Sequence, residues 1–193
     1  MITLFNSDDE AVVVEESEMP MAAAIAEFLT INDWNDQIKQ IEAGESARLV
    51  YTMTLEGLNI QFFVESFESR SEIIIYGYSP FSVPPKKMAE VGRLLNMINM
   101  QWDTGRFACY DDDDSNRVQY RHNQIYLDEC SGQMVDKLTD IARFAWENFG
   151  EIISSVVFTK LSAKDAWAEY RKSRQKKQND SDNEDDEGAP SEL

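Results

Sequence analysis

The side chain best suited to acid–base chemistry in this 193-residue chain is its only histidine, His122. An imidazole titrates near neutral pH, and a serine or cysteine nucleophile usually needs one as its base. A single histidine excludes His-rich metal sites and His–His pairs, and no GxSxG or papain-like motif accompanies it. His122 follows Arg121 in a strand-like segment, so we expect an exposed hairpin residue rather than a catalytic base.

The acidic run Asp111–Asp114 is the second candidate, because clustered carboxylates could hold a calcium ion. An EF-hand loop needs alternating acids, a glycine at its sixth position and a bidentate glutamate at its twelfth. Counted from Asp112, those positions hold Arg117 and Asn123, so the pattern fails. We expect the run to be a solvated hairpin turn.

The two cysteines and the glycines belong to no recognisable redox or phosphate-binding motif. Cys109 and Cys130 are far apart and belong to no CxxC motif, which is typical of two ordinary thiols in a reducing compartment. A phosphate-binding loop needs clustered glycines, whereas these stand singly: Gly44, Gly57, Gly77, Gly92 and Gly105. We therefore predict no catalytic residue, no cofactor and no metal, and the partner-binding residues stay unassigned.

Charge and composition exclude further classes of function. The formal net charge of -18 argues against a nucleic-acid partner, because phosphate binding needs a positive field. The basic segment 171–177 is largely neutralised by the acids that follow it. No run approaches the roughly 20 apolar residues of a membrane span, and acids precede the apolar segment 21–29 where a secretory signal needs positive charge. We expect a cytoplasmic protein without a membrane partner.

The elements that would position these side chains begin with an acidic segment, 1–19. A disordered arm is favoured there over a loose arm with one strand-like piece that docks on the body or on a partner. Pro20 opens a short helix that ends near Thr30. Trp34 lies among turn-forming residues, and we interpret it as a lid over the core edge rather than a ligand-stacking residue.

Alternating polarity then predicts a three-stranded antiparallel meander. Residues 47–55 form its first strand, 58–64 its second and 72–78 its third, joined by short connections. The third strand is apolar on both faces from Ile73 to Tyr76, which is typical of a central strand.

A helix and a hairpin follow. Ser82 is a possible cap for a helix that Pro84 or Pro85 begins and whose apolar stripe ends at Ile98. Asn99 fits a partly buried, hydrogen-bonded helix end. Gly105 then breaks the chain before two strands that pair as a hairpin, around 106–110 and 117–122.

Ser131 is expected to cap a long helix whose apolar stripe continues past Gly150, where a bend would be unsurprising. Ser162 with Asp165 resembles a capping box for one further helix. Beyond Arg171 the composition favours disorder. The element order α-β-β-β-α-β-β-α indicates an α+β fold, a five-stranded antiparallel sheet with helices packed on it. We divide the chain into an acidic arm (1–19), an α+β domain (20–161), and a helical extension with a disordered charged tail (162–193).

The chain resembles the YbjN family, the bacterial sensory-transduction regulators, over about residues 20–160. The motifs that carry the resemblance are Tyr78-Ser79-Pro80, Val83-Pro84, Ile98-Asn99, Gly105-x-Phe107 and Val118-x-Tyr120-Arg121. The hairpin turn lacks the glycine usual in the family, and the acidic arm and charged tail are extra. The resemblance implies a fold like that of type III secretion chaperones and a small acidic dimer that holds segments of partner proteins.

Together these observations favour a non-enzymatic, homodimeric interaction module, a regulator or chaperone-like adaptor that binds a partner protein. The alternatives are a dedicated type III secretion chaperone and an uncharacterised enzyme that uses clustered carboxylates. Candidate contact residues are Phe62, Phe63, Tyr76 and Trp102, each of which also fits a place in the core.

Overall fold

The computed structural model describes residues 1–109, 116–126 and 129–184, with the side chains of 177–184 left out. Its strands are β1 (Ile2–Phe5), β2 (Ala11–Val14), β3 (Ile38–Glu42), β4 (Ser46–Leu55), β5 (Leu58–Phe67), β6 (Glu72–Ser82), β7 (Arg106–Cys109) and β8 (Arg117–Ile125). Its helices are α1 (Pro20–Ile31), α2 (Met88–Asn99), α3 (Gly132–Phe158) and α4 (Ala163–Glu184). The α+β class is confirmed.

The described strands form one sheet in the order β2-β1-β3-β4-β5-β6-β8-β7. Eight strands rather than five corrects the predicted sheet, and the element order changes accordingly. The predicted meander is present as β4, β5 and β6, and β8 pairs antiparallel with β6. Strand β6 therefore lies inside the sheet, as its apolar sequence predicts.

The three strands that the sequence did not predict are β1, β2 and β3. Strands β1 and β2 form a hairpin in the segment for which a disordered arm is favoured, which corrects that expectation, and β1 joins β3 in parallel through Phe5 and Lys39. Ile2 and Leu4 are 8% and 0% exposed, so the apolar side chains of β1 belong to the core. Burial of these two side chains is the physical reason why the segment is ordered.

The helices cover one face of the sheet. Helix α1 packs against α3, α2 packs against β7 and α3, and α4 packs against α2 and α3. The core between them contains Phe28 of α1, Phe62 of β5, Tyr120 of β8 and Trp146 of α3, each at most 1% exposed. Helix α3 runs through Gly150 without interruption.

The helix ends also differ from the sequence expectation. Ser82 belongs to β6, and Pro85 begins a 3₁₀ turn before α2, whose N-cap residue is Lys87. The Ser162–Asp165 interaction is present, because the Asp165 amide donates to Ser162 Oγ at 3.2 Å. Helix α4 continues to Glu184, beyond the point at which the composition favours disorder. Residues 185–193 lie outside the described chain.

Candidate functional site

The candidate site is the face of the sheet that lies opposite the helices. Along β5, Ile60, Phe62 and Val64 are fully buried, whereas the alternate residues Gln61 and Phe63 are partly exposed. Side chains alternate across a strand, so this pattern identifies one covered and one uncovered face. We call the uncovered face of β4, β5, β6, β8 and β7 the open face. Its side chains include Arg48, Gln61, Phe63, Glu65, Ile74, Tyr76, Tyr78, Ala108, Arg106, Arg117, Gln119 and Arg121.

Three aromatic rings occupy the middle of the open face. Phe63 and Tyr76 are directly opposite each other across β5 and β6. The rings of Phe63 and Tyr78 meet edge to face with centroids 5.4 Å apart, and Tyr76 lies 6.3 Å from Tyr78. These contacts are typical of interacting aromatic pairs, and they hold the rings in place without covering them. Ile74 lies on the same face of β6; it is 2% exposed and does not belong to the main core cluster.

Arginines surround these rings. The guanidinium of Arg48 lies 5.7 Å from the Phe63 ring centroid, Arg117 lies 5.3 Å from Tyr78, and Arg121 lies 5.7 Å from Tyr76. Such cation–π contacts keep a guanidinium flat against an aromatic surface. The three rings, Arg48 and Arg117 line a shallow depression of about 430 Å³ together with Glu65 and Gln119.

The four predicted contact residues divide between the two faces. Phe63 and Tyr76 lie on the open face. Phe62 is 0% exposed in the core, and Trp102 packs edge to face against Phe149 with its indole nitrogen 3.4 Å from the Tyr120 hydroxyl. The open-face arginines were missed, because their convergence depends on a strand register that the sequence does not contain.

Three glutamates stabilise the starts of helices by accepting hydrogen bonds from backbone amides. The Glu68 carboxylate accepts hydrogen bonds from the amides of Met21 and Ala22, both at 2.9 Å, at the start of α1. Glu27 accepts from Gly132 at 2.7 Å at the start of α3, and the amide of Ala163 in α4 donates to Glu90 at 3.0 Å. Carboxylates satisfy the free amides of a helix N-terminus and complement its dipole.

The pKa values of two of these carboxylates, Glu68 and Glu90, shift in opposite directions. Burial raises the pKa of Glu68 above its ordinary value, although the two amide hydrogen bonds oppose that shift. The hydrogen bond from Ala163 lowers the pKa of Glu90. Glu27 replaces the predicted cap of α3, because Ser131 makes no side-chain capping hydrogen bond.

His122 lies on β8 opposite Ile75 and is half-buried, which corrects the expectation of an exposed hairpin residue. Its Nδ1 atom is buried without a hydrogen-bond partner among the described residues. Burial lowers the pKa of this imidazole below its ordinary value, so His122 is neutral at pH 7. No described residue orients this imidazole in the way that the aspartate of a catalytic triad orients its histidine.

Both cysteines are thiols. Cys130 lies beside Tyr126, and burial raises the pKa of its thiol to about 11. Cys109 lies on β7, with its sulfur 3.6 Å from Met88 Sδ. Because only the thiolate is a good nucleophile, Cys130 is poorly suited to covalent chemistry at neutral pH.

Cys130 should therefore react slowly with iodoacetamide at pH 8. Its pKa of about 11, compared with about 9 for an unperturbed thiol, lowers the thiolate fraction and hence the alkylation rate roughly 100-fold. Mass spectrometry of the Cys109→Ser variant would measure this rate without interference, and the same variant unfolded in urea supplies the unperturbed rate. Equal rates in the folded and unfolded protein would contradict the burial of this thiol.

Among the described residues, no group of three or more His, Cys, Asp or Glu side chains could hold a metal ion. The predicted acidic turn, Asp111–Asp114, lies outside the described residues. Within the part of the chain that the structure describes, none of the helices has the length and apolarity of a membrane span.

The comparisons with known proteins agree with the sequence resemblance. The model of the YbjN family, described as "Putative bacterial sensory transduction regulator", matches residues 21–145, well over half of the chain. The matched segment includes α1, the strands from β3 to β8, and the first half of α3. No curated protein and no solved structure matches the chain.

Proposed function

We propose, from the premise that this chain belongs to the YbjN family, that it is a non-enzymatic regulator that acts by binding a partner protein. The family description supports a regulatory role in bacterial signalling. Three glutamates, Glu27, Glu68 and Glu90, accept hydrogen bonds from backbone amides at the starts of helices. Because these carboxylates stabilise helices, they favour a non-enzymatic function over acid–base catalysis.

The open face is the observation that carries this proposal. The opposite face of the sheet is covered by helices, whereas Phe63, Tyr76 and Tyr78 remain partly exposed on the open face. Aromatic residues and arginine are the side chains most enriched at binding hot spots, and here they occur together on a rigid sheet. A surface held by strand pairing also pays little ordering cost when a partner binds.

The regulator acts in the cytoplasm as a homodimer. The high negative charge supports solubility there, and the likeness to type III secretion chaperones supports dimer formation. The open face is left for the partner in this dimer, because stacking two open faces would bring the arginines of one copy against those of the other.

Affinity purification from native cells with quantitative mass spectrometry tests this function. The wild-type chain is compared with a Phe63→Ala/Tyr76→Ala double variant and with Phe144→Ala, which removes a 46% exposed ring from α3. We expect a partner that the wild type and Phe144→Ala both retain and that the double variant loses. Circular dichroism establishes that all three proteins are folded.

Two outcomes would count against the proposal. Equal recovery of partners by the wild type and the double variant would remove the open face as the binding surface. A strict monomer in light scattering, together with no enriched protein for the wild type, would overturn the adaptor function itself.

A further inference from the structure

The open face has a charge opposite to that of the whole molecule. The chain carries a formal charge of -18, yet Arg48, Arg106, Arg117 and Arg121 all lie on this one surface. Glu65 is directly opposite Arg48, and Glu72 lies on the same face of β6 as Tyr76; each of these two carboxylates already has a cation. Glu65 pairs with Arg48 at 2.6 Å, and Glu72 pairs with Arg70 at 3.1 Å.

Three arginines of this group have no carboxylate partner among the described residues. Arg106 donates to the carbonyl oxygens of Trp102 and Gly105 at 3.2 Å and 2.6 Å. Arg117 donates to the Ser79 carbonyl at 2.6 Å and to the Gln61 side chain at 3.3 Å. The guanidinium of Arg121 lies over the Tyr76 ring and forms no ion pair with a described residue. Burial lowers the pKa of Arg117, as expected for a partly desolvated cation without a counter-ion.

The strand register places two of these cations together. Arg106 of β7 is directly opposite Arg121 of β8. Like charges at directly opposed positions in a sheet are destabilising, so the free protein carries an electrostatic cost here. Asp103 lines a second depression, of about 610 Å³, together with Arg106 and Arg121, but it forms no ion pair in the described part of the chain. An anion bound between the two guanidinium groups would remove the repulsion.

Taken with the proposed function, these observations identify the chemistry of the partner. We propose that the open face docks an extended acidic segment of the partner protein. Its carboxylates bind Arg106, Arg117 and Arg121, and an apolar side chain of the segment packs on Phe63, Tyr76 and Tyr78. Guanidinium groups bind carboxylates through two parallel hydrogen bonds, and a planar arginine on an aromatic ring presents its N–H groups for that purpose.

Other anionic partners fit this surface less well. A nucleic-acid strand or an anionic membrane extends far beyond a few arginines and would meet the field of a strongly acidic molecule. Glu65 and Glu72 also interrupt the positive surface, which a continuous phosphate chain would not tolerate. A short segment with two or three carboxylates requires only the local cluster.

The test is fluorescence anisotropy with a labelled synthetic probe that repeats the sequence of residues 179–193, an acidic stretch of known composition. We expect the full-length wild type to bind it, with affinity falling on the order of tenfold in Arg121→Gln and further in Arg106→Gln/Arg121→Gln. Arg171→Gln is the matched control, because it removes the same charge from an exposed position on α4 and should leave binding unchanged. A probe with lysine at each acidic position should not bind.

Two further binding measurements distinguish a partner segment from other ligands of the open face. A full-length variant with every carboxylate of 180–187 replaced by its amide should bind the probe as the wild type does. Binding at least tenfold tighter in that variant would identify the chain's own tail as the occupant and overturn the partner segment. Tighter binding of a labelled poly(dT) oligonucleotide than of the probe would overturn it in favour of nucleic acid.

Failure here is separable from failure of the proposed function. If the wild type, Arg121→Gln and Arg171→Gln bind the acidic probe equally or not at all, the acidic-segment inference is overturned. Recovery of a partner that depends on Phe63 and Tyr76 would still support the adaptor function in that case.

Discussion

Replacement of Trp146 with alanine should lower the free energy of unfolding by about 3–5 kcal/mol, a large share of the 5–15 kcal/mol typical of a domain. Trp146 is 1% exposed and is the largest fully buried side chain among the described residues. Its ring meets Phe107 edge to face with centroids 5.2 Å apart, so α3 and β7 share this contact. The indole Nε1 has no hydrogen-bond partner among the described residues, and removing that buried polar atom offsets part of the loss.

Urea denaturation followed by circular dichroism measures this effect. Phe144→Ala is the matched control, because it also removes an aromatic ring from α3 but from a position that is 46% exposed. The control should cost less than about 1 kcal/mol, since little apolar surface is lost from the core. Equal destabilisation by the two substitutions would contradict the assignment of Trp146 to the centre of the core.

Trp146 also connects the core with the open face through Gly77. A Cβ atom at Gly77 would lie 2.5 Å from Trp146 Nε1 and 3.0 Å from a ring carbon of Phe62, so only glycine fits there. The neighbours of Gly77 on β6 are Tyr76 and Tyr78, which point to the opposite face. The indole of Trp146 therefore lies across the sheet from Tyr76 and Tyr78, and its loss should disturb the open face as well.

The sequence predicted the elements whose signals are local. The meander from β4 to β6 follows from alternating polarity and short connections, and the β7–β8 hairpin follows from the same pattern. The pairing of β1 with β3 could not be predicted in this way, because it rests on a single residue pair, Phe5 and Lys39, far apart in the chain. Such nonlocal pairing depends on tertiary packing rather than on propensity.

The candidate site was less accessible from sequence than the fold. Phe63 and Tyr76 were identified by residue type, but the same reasoning included Phe62 and Trp102, which pack in the core. Arg121 and Arg106 are 15 positions apart in the sequence and become neighbours only through the β7–β8 register. A shift of one residue would move every side chain to the other face, so a charge cluster of this kind requires the structure.

Several residues that carry the family resemblance fix the position of α2 relative to the β7–β8 hairpin. The side-chain oxygen of Asn99 accepts from the Phe107 amide at 2.9 Å, and its nitrogen donates to the Phe107 carbonyl at 2.8 Å, which confirms the predicted helix end. The Tyr120 hydroxyl donates to the Thr104 carbonyl at 2.8 Å. Gly105 lies between these contacts with a φ of +66°, in the left-handed region.

Gly105→Ala should be the second strongly destabilising substitution, at about 2–5 kcal/mol. The left-handed conformation costs alanine about 1–2 kcal/mol, and crowding in a packed region typically adds about 1–3 kcal/mol. A Cβ atom there would lie 2.5 Å from Tyr120 Cζ and 2.8 Å from the Arg121 carbonyl oxygen. Because Tyr120 is 0% exposed, its ring has no free space into which it can move.

Gly44→Ala separates the two causes, because Gly44 has a φ of +70° and a Cβ atom there would meet nothing within 4 Å. Thermal and urea unfolding of both variants should show Gly105→Ala losing about 1–3 kcal/mol more than Gly44→Ala, the contribution of crowding alone. Tyr120→Phe removes the hydroxyl that the new Cβ would meet, so Gly105→Ala should cost less in that background. Equal costs at Gly44 and Gly105 would mean that backbone conformation alone requires glycine at position 105 and that the approach of Tyr120 is incidental.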